Sequence, residues 1–194
     1  MGGQAARSPG RERGTIPAAC VAIVIVTALV GCGHVGTSSR RPLQTVARVD
    51  LDRYLGRWYE IARYPHRFQE DCVASTATYA RLPDGRIRVE NACQDASRDG
   101  EVRRATGVAW VTSGDPSNAK LEVQFFWPFR GDYWIIELDP DYRYAVVGHP
   151  SREYLWILSR TPRMDEVVYQ ELLRRIAVHG YDVTRIQRTL HPPA

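Results

Sequence analysis

Between residues 58 and 159 the chain is a succession of short runs in which apolar, β-branched and aromatic positions alternate with polar ones. The runs predict eight strands, at Trp58–Tyr64, Val73–Leu82, Arg86–Cys93, Val102–Val111, Lys120–Phe126, Tyr133–Leu138, Tyr142–Val147 and Tyr154–Ser159. Turn formers separate them, among them Pro83-Asp84-Gly85, Ser113-Gly114-Asp115-Pro116, Asp139-Pro140 and Gly148-His149-Pro150. Most connections are of hairpin length, so consecutive strands should run up and down. After Thr161-Pro162 the period changes: Val168, Leu172 and Ile176 recur at helical spacing, with Leu173 beside them. Asp165 and Glu166 open this segment, and Arg174, Arg175 and His179 close it before Gly180, the charge order and stop signal of a helix. Its apolar stripe needs a surface to cover, and the outer wall of a barrel supplies one.

The predicted fold is therefore all-β, an eight-stranded antiparallel up-and-down β-barrel with one C-terminal α-helix packed outside. Trp58 at the start of the first strand and Arg160 at the end of the last can meet only if the sheet closes on itself. The guanidinium would then lie on the indole face, a contact worth about 0.5–2 kcal/mol depending on burial.

A different pattern occupies the N-terminus, where Arg7, Arg11 and Arg13 precede a nearly unbroken apolar run from Ile16 to Val30. This run falls short of the ~20 residues a membrane-spanning helix needs and reads as a secretory signal. It ends in Leu29-Val30-Gly31-Cys32, which resembles the bacterial lipobox, in which the cysteine thiol is lipidated and becomes the mature N-terminus; the alternative is an ordinary cleavage site that contains a cysteine. Residues 1–31 are thus expected to be a lipoprotein signal peptide, 32–47 a lipidated N-terminus and flexible tether, and 48–194 one domain. Acyl chains on Cys32 would anchor the protein to a membrane, each buried methylene adding about 0.8 kcal/mol. Gly33 stands where an aspartate would favour inner-membrane retention, so the expected location is the outer membrane, facing the periplasm, in a host that has one.

Charge adds little. Cleavage before Cys32 removes three Arg and one Glu, which lowers the formal charge by two, from +4 to +2. Lys120 is the only lysine, and the arginines are interspersed with acids, so there is no basic stripe for nucleic acid. Of four cysteines, Cys72 and Cys93 fall in the domain, and export to an oxidising compartment makes a disulfide between them the default over two free thiols that are redox-active or metal-binding. They flank the Leu82–Gly85 turn, but pairing outward from it misses direct opposition by two positions, so a bulge or longer loop is required. No nucleophile elbow, zinc-protease helix or phosphate-binding loop occurs, and the five histidines are dispersed; no catalytic residue, metal or cofactor is assigned.

Three motifs in order carry a resemblance to the lipocalins, and specifically to the bacterial outer-membrane lipoprotein subgroup and the related apolipoprotein D. They are Gly56-Arg57-Trp58 within Tyr54–Arg63, Asp141-Tyr142 with Pro140 before it, and Arg160 within Trp156–Pro162. The resemblance covers roughly residues 49–186. It implies an open-mouthed apolar calyx that binds fatty acid or lysophospholipid, with Gly56, Trp58, Asp141, Tyr142 and Arg160 as structural motif residues. An eight-stranded barrel is wide enough to hold one small ligand, and the lipocalins are themselves the standard illustration of that rule.

Alternation nominates the ligand-binding face: Tyr79 on the second strand, Val89 and Asn91 on the third, Val123 and Phe125 on the fifth, Trp134 and Ile136 on the sixth, Trp156 and Leu158 on the eighth. The match to apolipoprotein D implies that Trp134 and Trp156 point inward. The sixth strand is apolar on both faces, as expected if the helix or a partner covers its outside. A head group would be handled at the mouth by Arg81, Arg103 or Arg104, and the aromatic segment Phe126–Gly131 is either loop packing, an entrance lip or a patch for a membrane or partner, including a second copy in a homodimer. The expected function is a lipid carrier in the cell envelope; the alternatives are an envelope scaffold or a lipocalin-like enzyme acting on a lipid.

Overall fold

A computed structural model describes residues 41–96 and 100–192, the side chain of Phe68 excepted. The expected signal, the lipidation site at Cys32 and most of the tether lie outside the described residues.

A short helix α1 (Leu51–Tyr54) is followed by eight antiparallel strands: β1 (Gly56–Arg63), β2 (Cys72–Arg81), β3 (Ile87–Asp95), β4 (Glu101–Val111), β5 (Lys120–Phe126), β6 (Phe129–Leu138), β7 (Tyr144–Gly148) and β8 (Leu155–Ser159). Each strand pairs with its sequence neighbour, and β1 pairs with both β2 and β8, which closes the barrel. The helix α2 (Glu166–Val178) follows, and a two-residue strand β9 (Gln187–Arg188) returns to the upper end of β1. There β2 departs from β1: Ala74 has φ +50°, the register of β2 on β3 shifts between Val73 and Thr76, and the amide of Ala74 donates to Leu190 O instead. The same bulge brings Cys72 to Cys93, with Cα atoms 5.4 Å apart in a disulfide.

Strand polarity fixes the two ends. Gly56 pairs with Tyr79, so α1 lies at the same end as the β2–β3, β4–β5 and β6–β7 connections. The β1–β2, β3–β4, β5–β6 and β7–β8 connections gather at the other, open end.

Two apolar clusters divide the molecule. The inner one contains Trp58, Tyr79, Ile87, Val89, Leu121, Ile135, Val147 and Leu158. The outer one joins Tyr169, Leu172 and Ile176 of α2 to Ile61, Val146, Leu155 and Ile157 on the outside of β1, β7 and β8. Asp165 caps α2 by accepting from the amides of Val167 and Val168, and Gly180, at φ +84°, ends it. Leu43, assigned by sequence to the tether, is buried in the outer cluster.

Of the strand limits that differ from expectation, two have a clear local cause. Strand β6 begins at Phe129, with Phe126 paired to Phe129 across a tight hairpin, so the aromatic segment is mostly strand end and not loop. Strand β7 begins at Tyr144 because Tyr142, at φ +61°, belongs to the preceding turn.

Candidate functional site

The closed end is built on Trp58, which is fully buried and donates from Nε1 to Tyr54 O at 2.8 Å. The Arg160 guanidinium carbon sits 3.8 Å from the Trp58 ring centroid. Its nitrogens donate to Arg57 O at 2.9 Å, Arg53 O at 2.7 Å, and Tyr142 O at 3.3 Å, so one planar cation ties α1, β1 and the β6–β7 turn together. Burial holds its pKa below the usual arginine value. Gly56 adopts φ +92°, and a Cβ there would stand 3.4 Å from Arg160 Nη1. Tyr142 completes the floor by accepting from the Asp50 amide at 2.8 Å. Asp141 is exposed; the buried carboxylate of this turn is Asp139, which the motif does not mark. Asp139 accepts from the amides of Asp141 and Arg143 and from two guanidinium nitrogens of Arg143. The Arg143 hydrogen bonds hold its pKa below the ordinary carboxylate value. An Asp-Pro turn with Arg four residues on was the available signal.

Above the floor, the nominated residues separate by strand. Tyr79, Val89 and Leu158 are buried in the inner cluster, and Val123, Phe125 and Trp156 pack on it while keeping accessible surface. Asn91 continues the face of Ile87 and Val89 and pairs with Ala77. Opposite them the inner face of β4 is stripped to Ala109, Gly107 and Ala105. Gly107 is required by packing: a Cβ there would lie 2.6 Å from Gln124 O and 2.8 Å from the Phe125 ring.

Trp134 and Ile136 point the other way, and the inward placement expected for them is corrected. Both belong to the outer cluster, while Tyr133 and Ile135 face inward. Alternation from the inward Ile135 keeps Ile136 outside, the bulge between Ile135 and Glu137 then turns Leu138 inward, and Lys120 Nζ lies 4.7 Å from the Trp134 ring centroid. An apolar strand on both faces carries no signal of its own register; the pairing of Tyr133 with Leu121 and of Ile135 with Val147 decides it.

The inward Tyr133 brings a polar feature that sequence reasoning missed. Its hydroxyl lies 2.7 Å from that of Tyr54 and 2.8 Å from that of Tyr79. Burial pushes all three phenols up, Tyr79 to about 12, so they are neutral across the physiological range. Nothing in the spacing of residues 54, 79 and 133 announces this meeting.

Toward the open end a second network joins the buried Glu60 and Arg63. Arg63 donates to Glu60 Oε1 at 2.8 Å and to Thr189 Oγ1 at 3.1 Å, Gln69 Nε2 donates to Glu60 Oε2 at 2.8 Å, and Trp156 Nε1 donates to Gln69 Oε1 at 3.1 Å. The His66 ring lies edge-on to Trp156 at 5.5 Å, and burial lowers its pKa. Of the arginines suggested for a head group, Arg103 lies on the inner face of β4 near the mouth and bonds Glu70 O and Asp95. Arg81 is at the closed end, paired with Asp52, and Arg104 faces outward, opposite Ala92; both are removed from the mouth's inner wall. The rim itself carries Phe126, Trp127 and Phe129, which are 70%, 86% and 76% exposed.

This geometry is that of a closed-floor, open-mouthed β-barrel, and the model for the lipocalin-like domain matches residues 49–191. The chain belongs to the lipocalin-like family. This lipocalin is 45% identical over 145 residues to the outer membrane lipoprotein Blc of Escherichia coli (strain K12), covering 75% of this chain and 81% of that protein. It is 39% identical over 160 residues to temperature-induced lipocalin-1 of Arabidopsis thaliana, covering 78% and 84%. Mouse (Mus musculus) apolipoprotein D is 32% identical over 166 residues, covering 80% and 83%. Among solved structures, insecticyanin from the tobacco hornworm Manduca sexta superposes with a TM-score of 0.63 at 18% identity, covering 77% of this lipocalin and 85% of that chain, a likeness of fold.

Proposed function

We propose that this lipocalin is a non-enzymatic carrier that binds a fatty acid or lysophospholipid inside the barrel and is held in the outer membrane, facing the periplasm, by acyl chains on Cys32. The observation that carries this is the inner wall between floor and mouth. Val123, Phe125 and Trp156 offer accessible apolar surface there, facing the small side of β4. Aromatic walls suit an acyl chain because they present large apolar area with few rotamers to freeze. Burying a chain of sixteen carbons at about 0.8 kcal/mol per methylene gives a gross drive that exceeds the cost of association. Arg103 at the mouth is positioned to meet an anionic head group. The similarity to outer membrane lipoprotein Blc supports the anchor and its location.

A native mass spectrum of the domain purified from bacteria tests this reading. The expected result is a mass increment equal to a fatty acid or lysophospholipid, and the same spectrum reads whether a homodimer forms. Tryptophan quenching by added lipid should saturate, and should weaken at least about tenfold in Trp156→Ala, which removes both wall area and the bond to Gln69. An intact fold that takes up no lipid at any concentration would sink the carrier. The exposed rim of Phe126, Trp127 and Phe129 favours a second role, a scaffold for an envelope partner, for which co-purification abolished by Trp127→Ala is the expected signature.

A further inference from the structure

The three tyrosine hydroxyls of the barrel interior hold more protons than they use. Each of Tyr54, Tyr79 and Tyr133 carries one O–H, and a hydroxyl donates once. Two contacts join them, both to Tyr133, and each consumes one proton. One O–H is therefore left without an acceptor among the described residues. Tyr54 and Tyr79 are 3% and 6% exposed, Tyr133 is less completely buried, and its hydroxyl is the one in contact with both others, so it is the hub of the cluster. When Tyr54 and Tyr79 both donate to Tyr133, its own proton is free to point into the barrel, and the two incoming bonds polarise it as a donor.

The surroundings decide what that donor can take. Tyr79, Val89, Leu121 and Leu158 make the region apolar. Arg160, the cation whose charge bears on Tyr54 and Tyr79, is spent on Trp58 and on main-chain carbonyls. One neutral donor in such a place satisfies one neutral acceptor; a carboxylate would need several donors or a paired cation to offset its desolvation. We propose that the Tyr54–Tyr79–Tyr133 cluster is a deep hydrogen-bonding site for an uncharged oxygen, a hydroxyl or carbonyl, on the buried end of a lipophilic ligand. This rests on a lipophile occupying the barrel, and it makes this lipocalin selective for chains oxygenated at the end away from the mouth.

The test compares hexadecanoic acid, 16-hydroxyhexadecanoic acid and tetradecan-1-ol by tryptophan quenching on the wild type, Tyr133→Phe and Tyr79→Phe, with near-ultraviolet circular dichroism checking each fold. The wild type should bind the hydroxy acid at least as tightly as the plain acid, although water favours the extra hydroxyl. Tyr133→Phe should weaken the hydroxy acid and the alcohol by about tenfold and change hexadecanoic acid less than about twofold, the scale of one hydrogen bond. Tyr79→Phe removes one proton and one contact together, leaves a donor at Tyr133, and should keep the preference. Equal responses of all ligands to Tyr133→Phe, or loss of the preference in both variants alike, would overturn the site while leaving the carrier intact. Binding of the alcohol alone, abolished in Tyr133→Phe, would support the site and count against the fatty-acid carrier. Failure of all three ligands to bind the folded wild type would overturn both.

Discussion

At the scale of single residues, Arg160 holds the floor by shape as well as charge. Its fork reaches carbonyls of α1 and β1 while its face lies on Trp58. Arg160→Lys retains the charge but not the fork or the stack, and should cost about 1–3 kcal/mol in urea unfolding, with Arg160→Ala costing no less. His66 sets a pH dependence. Burial lowers its folded pKa below the ordinary value of 6.5, so the unfolded chain binds the proton more readily. Stability from this group is complete above 6.5 and falls as the pH drops from 6.5 toward the folded value. Unfolding followed from about pH 7.5 to about pH 5 should show this loss, flattened in His66→Gln. Both residues lie beside tryptophans, so fluorescence reports each directly.

At the scale of elements, β6 is the instructive strand. Its sequence is apolar on both sides, and only its neighbours tell inside from outside. Trp134 lies with the outer cluster, so Trp134→Ala should lower stability by about 2–4 kcal/mol and leave lipid affinity unchanged, the reverse of Trp156→Ala. Equal loss of lipid affinity in the two variants would refute this placement. The other elements were legible for specific reasons. Helix α2 announced itself through Asp165 at its start, Gly180 at its end and an apolar stripe, though Tyr169 takes the buried place alongside Leu172 and Ile176 that Val168 was expected to fill. The bulge in β2 was required by the spacing of Cys72 and Cys93, and it occurs at Ala74. The Glu60–Arg63–Gln69–Thr189 network was not legible, because it needs β9 to return from the C-terminus beside β1.

At the scale of the whole molecule, the closure of β1 on β8 is sealed at the floor by Trp58 and Arg160, and the disulfide, which links residues 21 apart, staples the bulged end of β2 to β3. Cys72→Ser with Cys93→Ser should lose about 3 kcal/mol by the chain-entropy estimate, and reductant should then have no further effect on the unfolding midpoint. The sequence by itself determined the number and order of the eight barrel strands, the helix, the disulfide and the plug. These follow from local periodicity, turn chemistry and motifs that act over short spans of chain. Only the tertiary structure decided which face of β6 turns inward, and with it the meeting of Tyr54, Tyr79 and Tyr133. The physical reason is that a strand's two faces differ by a shift of one residue, and where both are apolar the hydrophobic effect is nearly indifferent to that shift. The choice then falls to hydrogen-bonded register with β5 and β7, which no single segment contains.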